Sequence, residues 1–505
     1  MSAARPIPEK TLGWALLALF LVLVATNWVG FIGSDDVTFA RGAYGWIEQF
    51  PFVGGHGTIR YTLTVPMALS FLALGGRELA MVLPSLLYLL VFLWLAWRTT
   101  REAAGPGPAL AALAALITLP LLVIQASIAN VDAVELAFLF GSFALYWRCI
   151  EHGPTNLRLF LCGVLAGLAF LTRETGVFVA AFYAPLFLMG LGMPRWRYLV
   201  IPLGFLAVWA IEISYLWAMT GDPLYRFNIS LHHDSTIDRS IDLAGNVIVN
   251  PLIDPLLVLL LNQEFMLLFF AAIPLSLWLC FGRGMAVRAR RYARLIAWLG
   301  LSWFVCVGAA QHLLPLNPRY FTVTAAMACI LTGMGLVELA RRGPRLRLAA
   351  LVLGMALLGS NAIGFLVENK DTMFGEKILA SLARSEKGGI VTDPETRYRV
   401  DMLLKWERAQ DHVEGRAPRP GELYLYNPAR STVPSSRIVP ADMAAYAPGS
   451  GWQEVRKYNL PMPMPARLVQ AVGLDRFVPG GVWRKLSQHH QPVTLYRTGS
   501  TPAAR

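Results

Sequence analysis

The sequence predicts a polytopic α-helical membrane protein, with about 11 transmembrane helices followed by a C-terminal mixed α/β domain. Of its 505 residues, 55% are hydrophobic and 15% are charged, and the mean hydropathy is +0.50. Soluble domains of this length are more polar. The apolar residues form unbroken runs, whereas the strands of a membrane barrel alternate apolar and polar residues. Unbroken runs of about 20 residues cross the hydrocarbon core as helices.

Eleven apolar runs carry this prediction. The predicted spans are residues 12–32, 79–97, 108–125, 130–147, 158–171, 176–192, 198–219, 264–281, 295–313, 320–340 and 348–366. The first run is longer than the apolar part of a secretory signal, and no small-residue cleavage site precedes the sequence GSDD that follows it. We therefore count it as a span.

Basic residues are distributed unevenly between the two sides that these spans define. With the N-terminus in the cytoplasm, the inner ends carry 17 Lys and Arg residues and the outer ends carry seven. Because cytoplasmic loops are enriched in Lys and Arg, this orientation is predicted. We interpret the net charge of +12 as a topological signal and expect no nucleic-acid partner. Arginine-rich, lysine-poor composition without outer cysteines favours a bacterial inner (plasma) membrane, with a periplasmic C-terminus.

Two outer loops are too long to be simple turns. Residues 33–78 are rich in aromatic and aliphatic residues, which predicts short helices lying in the membrane interface. Residues 220–263 contain the sequence TGDPLYRF and an apolar stretch at 252–261 that is too short to span. We assign residues 1–366, with both loops, to one transmembrane domain.

A change to polar composition after Val367 predicts a separate periplasmic domain over residues 367–505. Short β-rich pieces alternate there with helix-like stretches, which predicts a small α/β or α+β fold. The predicted strands are residues 390–392, 423–426 and 493–496, and the predicted helices are residues 374–385 and 399–410.

Signals for soluble cofactors are missing from the sequence. There is no GxxxxGK[ST] loop and no GxGxxG turn after a strand. The five cysteines show no CxxC spacing, so neither a disulfide framework nor a zinc site is predicted. We predict no cofactor and no metal site, and a divalent metal stays open as an alternative.

Charged and polar residues at the outer ends of the spans are the candidates for chemistry. They are Asp35 and Asp36 in GSDD, His56, Arg60 and Tyr61 in GGHGTIRY, Arg173 in LTRETG, and Arg319 with Tyr320 in LNPRYF. Charges at membrane depth are costly and usually functional. A carboxylate deprotonates a hydroxyl, and guanidinium groups bind phosphate oxygens bidentately. In one outer pocket, these groups would activate an acceptor hydroxyl and stabilise a departing phosphate.

Each residue also has a purely structural interpretation. Ser34 with two following acids is a good helix N-terminus. Arg60 is explained by a guanidinium that reaches the lipid headgroups. Arg173 is explained by pairing with Glu174 or by a helix terminus, and Arg319 by an anchoring role after the helix start Asn317-Pro318.

Several motifs resemble the GT-C superfamily of membrane glycosyltransferases, in the branch of the protein O-mannosyltransferases and the lipid A aminoarabinose transferase. The motifs are GSDD after the first span, LGGRELAMVLPSLL, ANVDAVELAF with its Asp132, GVLAGLAFLTRETG, TGDPLYRF, and PRYF before a late span. They extend over about residues 10–340. Their order and sidedness together are more specific than any one of them.

The resemblance implies a GT-C-like fold and a sugar donor linked to polyprenyl phosphate, bound at the outer face, with inversion at the anomeric carbon. By this analogy Asp35 is the general base and Asp36 orients it or the acceptor. Arg60, Arg173, Arg319 and Tyr320 are the implied donor-phosphate ligands. We add His56 and Tyr61 as predicted substrate contacts.

The acceptor is expected to be an envelope molecule: lipopolysaccharide, another glycan, a lipid or a protein. Two other function classes are compatible with a polytopic chain, namely a transporter or flippase of lipid-linked saccharides and a non-catalytic scaffold of envelope assembly. Transporters commonly show paired repeats and charges near the bilayer midplane. The charges here gather at the outer ends, which favours the enzyme.

Overall fold

The computed structural model describes residues 8–232, 249–250, 252–311, 316–369, 371–385, 389–487 and 491–499. Helices dominate the chain up to Glu368. They are α1 (Glu9–Thr26), α2 (Asp35–Glu48), α3 (Tyr61–Leu74), α4 (Glu78–Ala104), α5 (Pro106–Ile117), α6 (Pro120–Ala126), α7 (Val131–His152), α8 (Asn156–Thr172), α9 (Val179–Met189), α10 (Arg195–Tyr198), α11 (Val200–Thr220), α12 (Tyr225–His232), α13 (Asp254–Leu261), α14 (Leu268–Phe281), α15 (Val287–Ala309), α16 (Thr322–Arg341) and α17 (Pro344–Glu368). Short 3₁₀ helices at Glu174–Phe178 and Pro318–Phe321 precede α9 and α16.

Helices long and apolar enough to cross a membrane confirm the predicted fold class. Among the described residues there are seven, or eight if α5 and α6, bent by 66° at a short break, form one span. The apolar helices α8, α14, and α9 with its preceding 3₁₀ turn, are shorter, at 10–17 residues. Each of the eleven predicted runs coincides with one of these helical segments. The chain is a multi-pass membrane protein.

The first span is shorter than predicted. Helix α1 ends at Thr26, so the prediction that it continues to Ile32 is wrong. Gly30 and Gly33 have positive φ angles of 76° and 66°, which break the helix. The intervening Phe31 is buried against protein instead of facing lipid. The acid pair therefore starts helix α2 and does not directly follow the span.

Helix α8 packs closely against α11. A Cβ atom on Gly163 would lie 1.8 Å from the carbonyl oxygen of Ile201, and one on Gly204 would lie 2.0 Å from that of Phe160. Only glycine permits this approach, as at many interfaces between membrane helices. Because α8 ends at Thr172, the contact also positions Arg173.

The C-terminal region contains a five-stranded mixed sheet with the order β2-β1-β3-β5-β4. The strands are β1 (Ile390–Thr392), β2 (Val413–Gly415), β3 (Leu423–Tyr426), β4 (Gln453–Tyr458) and β5 (Val493–Arg497), and the helices are α18 (Phe374–Ser385), α19 (Pro394–Glu407), α20 (Pro428–Ser431), α21 (Met464–Ala471) and α22 (Gly480–Leu486). Strand β1 pairs parallel with β2 and β3, whereas β5 pairs antiparallel with β3 and β4. The mixed α/β prediction is confirmed.

Helix α19 begins five residues before the predicted start at Arg399. Asp393 caps it, because its side chain accepts a hydrogen bond of 2.8 Å from the backbone of Thr396, and Pro394 occupies the first turn. Helix α19 packs against α2. Phe31 and Val37 share one buried cluster with Met373, Val400 and other residues of the C-terminal region.

Candidate active site

Asp35 and Asp36 form the first turn of α2 but point to different surroundings. About half of the Asp35 side chain is exposed, whereas Asp36 is fully buried. The Ser34 side chain makes no capping hydrogen bond, so that part of the structural interpretation is wrong. The two acids therefore differ in their access to solvent.

The carboxylate of Asp36 holds the turn that precedes α2. It accepts hydrogen bonds from the backbone N–H groups of Ile32 (2.7 Å), Gly33 (3.3 Å), Ser34 (2.6 Å) and Val37 (3.0 Å). Burial raises the pKa of Asp36 to about 6, although the four donors favour the ionised form. Asp36 is therefore a carboxylate at neutral pH, and it orients the backbone on which Asp35 lies.

Asp35 pairs with Arg319, which lies in the 3₁₀ turn before α16. The Nη1 of Arg319 donates to Oδ2 of Asp35 at 2.8 Å. Burial acts to raise the pKa of Asp35, but Arg319 outweighs it and holds the pKa below its ordinary value, with further help from Arg173 and Arg60. These three guanidinium groups are therefore within electrostatic reach of one carboxylate.

Arg173 connects the ends of α7, α8 and α16. Its Nη1 donates to Oδ1 of Asp132 at 2.5 Å, and its guanidinium lies 4.0 Å from the ring centroid of Tyr320. The guanidinium of Arg319 lies 5.6 Å from the same ring. Both guanidinium groups therefore lie near the ring of Tyr320, whose π-electrons attract cations.

Arg60 belongs to a second, buried ion-pair network. It donates to Oε2 of Glu174 at 2.6 Å, and Oε1 of Glu174 accepts from Arg226 at 2.9 Å. Arg226 also pairs with Glu212 at 2.5 Å and donates to two backbone carbonyls. Because buried charges are costly when unpaired, this network fixes the loop that contains Arg60 against α8, α11 and α12.

His56 and Tyr61 lie on opposite sides of Arg60 in the chain. The Nε2 of His56 is 3.3 Å from Nη2 of Arg60. The ring of Tyr61 packs 5.5 Å from Trp46 and 5.7 Å from Tyr215, within an aromatic cluster. His56 is therefore adjacent to the charged network, whereas Tyr61 belongs to the neighbouring aromatic cluster.

Solvent reaches only part of this charged assembly. The exposed fraction of the side chain is 49% for Asp35, 38% for Arg319 and 32% for Glu174. Arg60 and Arg173 are at most 10% exposed. A ligand that enters from solvent therefore meets Asp35, Arg319 and Glu174 first.

Sequence reasoning omitted four charged residues from the site: Asp132, Glu174, Glu212 and Arg226. Asp132, Glu174 and Arg226 occur inside the quoted motifs ANVDAVELAF, LTRETG and TGDPLYRF. Glu212 is a single acid in the apolar helix α11, and that isolation was the available signal. The structural interpretation of Arg173 pairs it with Glu174, but Glu174 pairs with Arg60 and Arg226 instead.

Within the described ranges, no three His, Cys, Asp or Glu side chains are arranged to hold a metal ion. The five cysteines are free. The positive charge of the site is supplied by its arginines.

Two solved structures resemble this chain over its whole length. The apo structure of ArnT from Cupriavidus metallidurans matches with a TM-score of 0.59 and 11% sequence identity, covering 98% of this chain and 100% of that one. The structure of ArnT from the same organism bound to undecaprenyl phosphate matches with a TM-score of 0.59 and 12% identity, covering 97% and 99%. The chain has the GT-C fold. The resemblance noted from its motifs is thereby confirmed.

A family model gives a match that is independent of the structural comparison. Residues 64–219 match the model described as dolichyl-phosphate-mannose-protein mannosyltransferase. No curated protein sequence gives a significant match. The matched region includes Asp132, Arg173, Glu174 and Glu212, so it contains much of the charged assembly.

Proposed function

We propose that this GT-C chain is an inverting glycosyltransferase. It moves a sugar from a polyprenyl-phosphate donor to a hydroxyl group of an envelope acceptor. The observation that carries the proposal is the pairing of the accessible Asp35 with Arg319, within electrostatic reach of Arg173 and Arg60. A base for the acceptor and cations for the phosphate thus lie within electrostatic reach of one another.

The chemistry follows from these positions. Asp35 is ionised, so it takes the proton of the acceptor hydroxyl while the oxygen attacks the anomeric carbon. The bond between that carbon and the phosphate oxygen breaks, and its electron pair leaves with the phosphate. Arg319 and Arg173 stabilise the charge that develops there, because guanidinium groups bind phosphate oxygens bidentately. A single displacement of this kind inverts the anomeric carbon.

Arg319 retains hydrogen-bonding capacity for this task. Its Nη1 is occupied by Asp35, but its Nε is buried and has no partner in the described part of the chain. An unsatisfied buried N–H is costly, and a phosphate oxygen would satisfy it. Arg319 is therefore the proposed first contact of the donor phosphate.

An apolar cleft is the proposed site of the polyprenyl tail. It has a volume of about 480 Å³ and is lined by α13, α14, α15 and α16. Thr324, on its lining, lies five residues after Arg319, and Phe304 packs 6.0 Å from Phe321. Burial of apolar lipid carbon there stabilises the donor by about 0.8 kcal/mol per CH₂.

The acceptor is proposed to approach beside the C-terminal region. Helix α19 packs on α2, and Arg399 donates to the carbonyl of Gly33 at 2.9 Å, two residues before Asp35. Nearby, Arg437 and Arg41 lie 3.3 Å and 5.7 Å from the ring centroid of Tyr398. This surface offers cations and an aromatic face to a lipopolysaccharide, other glycan, lipid or protein.

The proposed location is a bacterial inner membrane, with the N-terminus cytoplasmic and the active site and C-terminal domain periplasmic. Arginines at the opposite membrane face support this orientation: Arg288 and Arg291 pair with Glu151, and Arg101 pairs with Glu9. The distribution of basic residues fits a cytoplasmic assignment for that face.

The experiment is complementation of a deletion strain with the wild-type chain, Asp35→Asn and Glu48→Gln. Glu48 is a matched control, because it is also a half-exposed acid of α2 paired with a base, in its case Lys405. Envelope glycans and glycoproteins are compared by mass spectrometry at equal membrane expression. Loss of one modification with Asp35→Asn alone supports the enzyme. Full modification by Asp35→Asn would refute it and favour transport or scaffolding.

A further inference from the structure

We propose that Glu174 competes with the donor phosphate for Arg60. In the empty site the carboxylate occupies Arg60, the donor displaces it, and its return aids release of the polyprenyl phosphate product. This inference rests on the proposed function and adds a carboxylate that sets the affinity of the phosphate site. It concerns a positioning residue that acts through Arg60.

The hydrogen bonds of Arg60 motivate this proposal. Its Nη1 donates to Glu174 and its Nη2 lies 3.3 Å from His56, so each terminal nitrogen has one contact. Only 7% of the Arg60 side chain is exposed, so a phosphate gains access to Arg60 by displacing one of these partners. Glu174 is the accessible one of the pair that it forms with Arg60, with side-chain exposures of 32% and 7%.

Glu174 has other partners that would hold it after displacement. Its Oε2 faces Arg60, whereas its Oε1 accepts from Arg226 at 2.9 Å and from Ser230 at 3.2 Å. When Arg60 is released, Oε2 of Glu174 therefore loses its partner, whereas Oε1 stays hydrogen-bonded. Such a carboxylate stays beside the site and is able to return.

The backbone between the two motif residues places Glu174 in this position. Arg173 is extended, with φ −157° and ψ 146°, so successive side chains point to opposite sides. Arg173 reaches Asp132 and Tyr320, and Glu174 reaches Arg60 and Arg226. One turn thus places a cation beside Asp132 and a competing anion beside Arg60.

The donor and the product differ in charge, and this difference explains how the competition would aid the reaction. The donor is a phosphodiester with one negative charge, whereas the product is a monoester whose second ionisation has a pKa of about 6. A cluster of unopposed guanidinium groups would hold the product more tightly than the donor. A nearby carboxylate opposes the additional charge and speeds its departure.

The test measures the affinity of the purified full-length protein for undecaprenyl phosphate and for undecaprenol, which has the same tail without the phosphate. Glu174→Gln removes the charge with little change of shape. We expect it to bind undecaprenyl phosphate about tenfold more tightly than the wild type does, because one like charge is removed near the phosphate. Undecaprenol binding is expected to stay unchanged.

Further variants make the result specific. Glu48→Gln removes the same charge from an acid that pairs with Lys405 instead of Arg60, and it is expected to bind like the wild type. Arg60→Gln with Glu174→Gln is expected to bind no more tightly than Arg60→Gln alone, which completes a double-mutant cycle. Glu174→Asp keeps the charge but retracts it, so a smaller gain is expected, and it provides the test if Glu174→Gln does not fold.

The outcomes separate the two proposals. Equal wild-type affinity for undecaprenyl phosphate and undecaprenol would overturn the proposed function itself. Preference for the phosphate, with unchanged or weaker binding by Glu174→Gln, would overturn only the competition. A purely structural Glu174 would give weaker binding, because its loss would disorder Arg60.

Discussion

Arg319 donates a hydrogen bond of 2.8 Å to Asp35, which lies 284 positions earlier in the chain. The pair joins the first turn of α2 to the turn before α16. Because both side chains are accessible, the ion pair alone stabilises the fold little. Its significance is that it brings the proposed base into contact with a proposed phosphate-binding cation.

The first prediction separates the two acids. Asp35→Asn should keep the melting temperature within about 2 °C of the wild type and lower kcat by about 10²–10⁴-fold, since it removes only a general base. Asp36→Asn should lower the free energy of unfolding by about 3 kcal/mol, because an amide cannot accept from four backbone donors. Thermal unfolding and transfer assays measure both. Equal stability of the two variants would contradict these roles.

The second prediction concerns pH. Asp35 must be ionised to act, and its activity is lost as the pH falls through its pKa. Burial acts to raise that pKa and Arg319 holds it below the ordinary value, so wild-type transfer should be insensitive to Asp35 protonation above about pH 5. Arg319→Gln should move the acidic limb of the kcat/KM profile to higher pH. A mutant limb at the wild-type position would argue against the pairing.

The third prediction concerns Asp132, which sequence reasoning left out of the site. Asp132→Asn should reduce kcat/KM by about 100-fold, because Arg173 loses its 2.5 Å partner and shifts on Tyr320. Adding Arg173→Gln should cost little more, because the two residues act as a unit. Fully additive losses in the kinetics of the double variant would show that they act separately.

The fourth prediction gives the C-terminal region a part in catalysis. Arg399→Gln should lower kcat about tenfold with little change of the donor KM, because Arg399 holds the carbonyl of Gly33 beside the acid pair. Arg399→Lys should restore part of the activity. The matched control is Arg430→Gln, which also removes an arginine of the C-terminal region from a glutamate, in its case the buried Glu376. A comparable loss of kcat with Arg430→Gln would assign the effect to folding of the domain.

The membrane fold was largely predictable, because the bilayer requires long apolar runs and the chain supplies them one after another. The end of α1 was mispredicted, since Phe31 is equally apolar in a buried loop and in lipid. The strands β1, β3 and β5 were predicted, whereas β2 and β4 are polar and their partners are distant in sequence. These two strands form the edges of the sheet because they pair with strands distant in sequence, and their local sequence pattern does not predict them.

The candidate site was predictable in its residue types but not in its pairings. Arginines and acids at the outer ends of spans are visible in the sequence, and their cost in the membrane marks them. Their partners depend on backbone direction. The extended conformation at Arg173 sends its side chain to Asp132 and that of Glu174 to Arg60, which proximity in sequence does not reveal. The roles of the site residues stay predictions.

The most direct test is a cryo-EM structure of the full-length protein with undecaprenyl phosphate. The phosphorus atom is expected within about 4–5 Å of the Arg319 guanidinium, since direct hydrogen bonds to phosphate oxygens require that spacing. The Asp35 carboxylate should face the bound phosphate. The lipid tail should lie along the cleft lined by α13, α14, α15 and α16. A phosphate bound more than about 15 Å from Asp35, far beyond hydrogen-bond reach, would contradict the proposed active site.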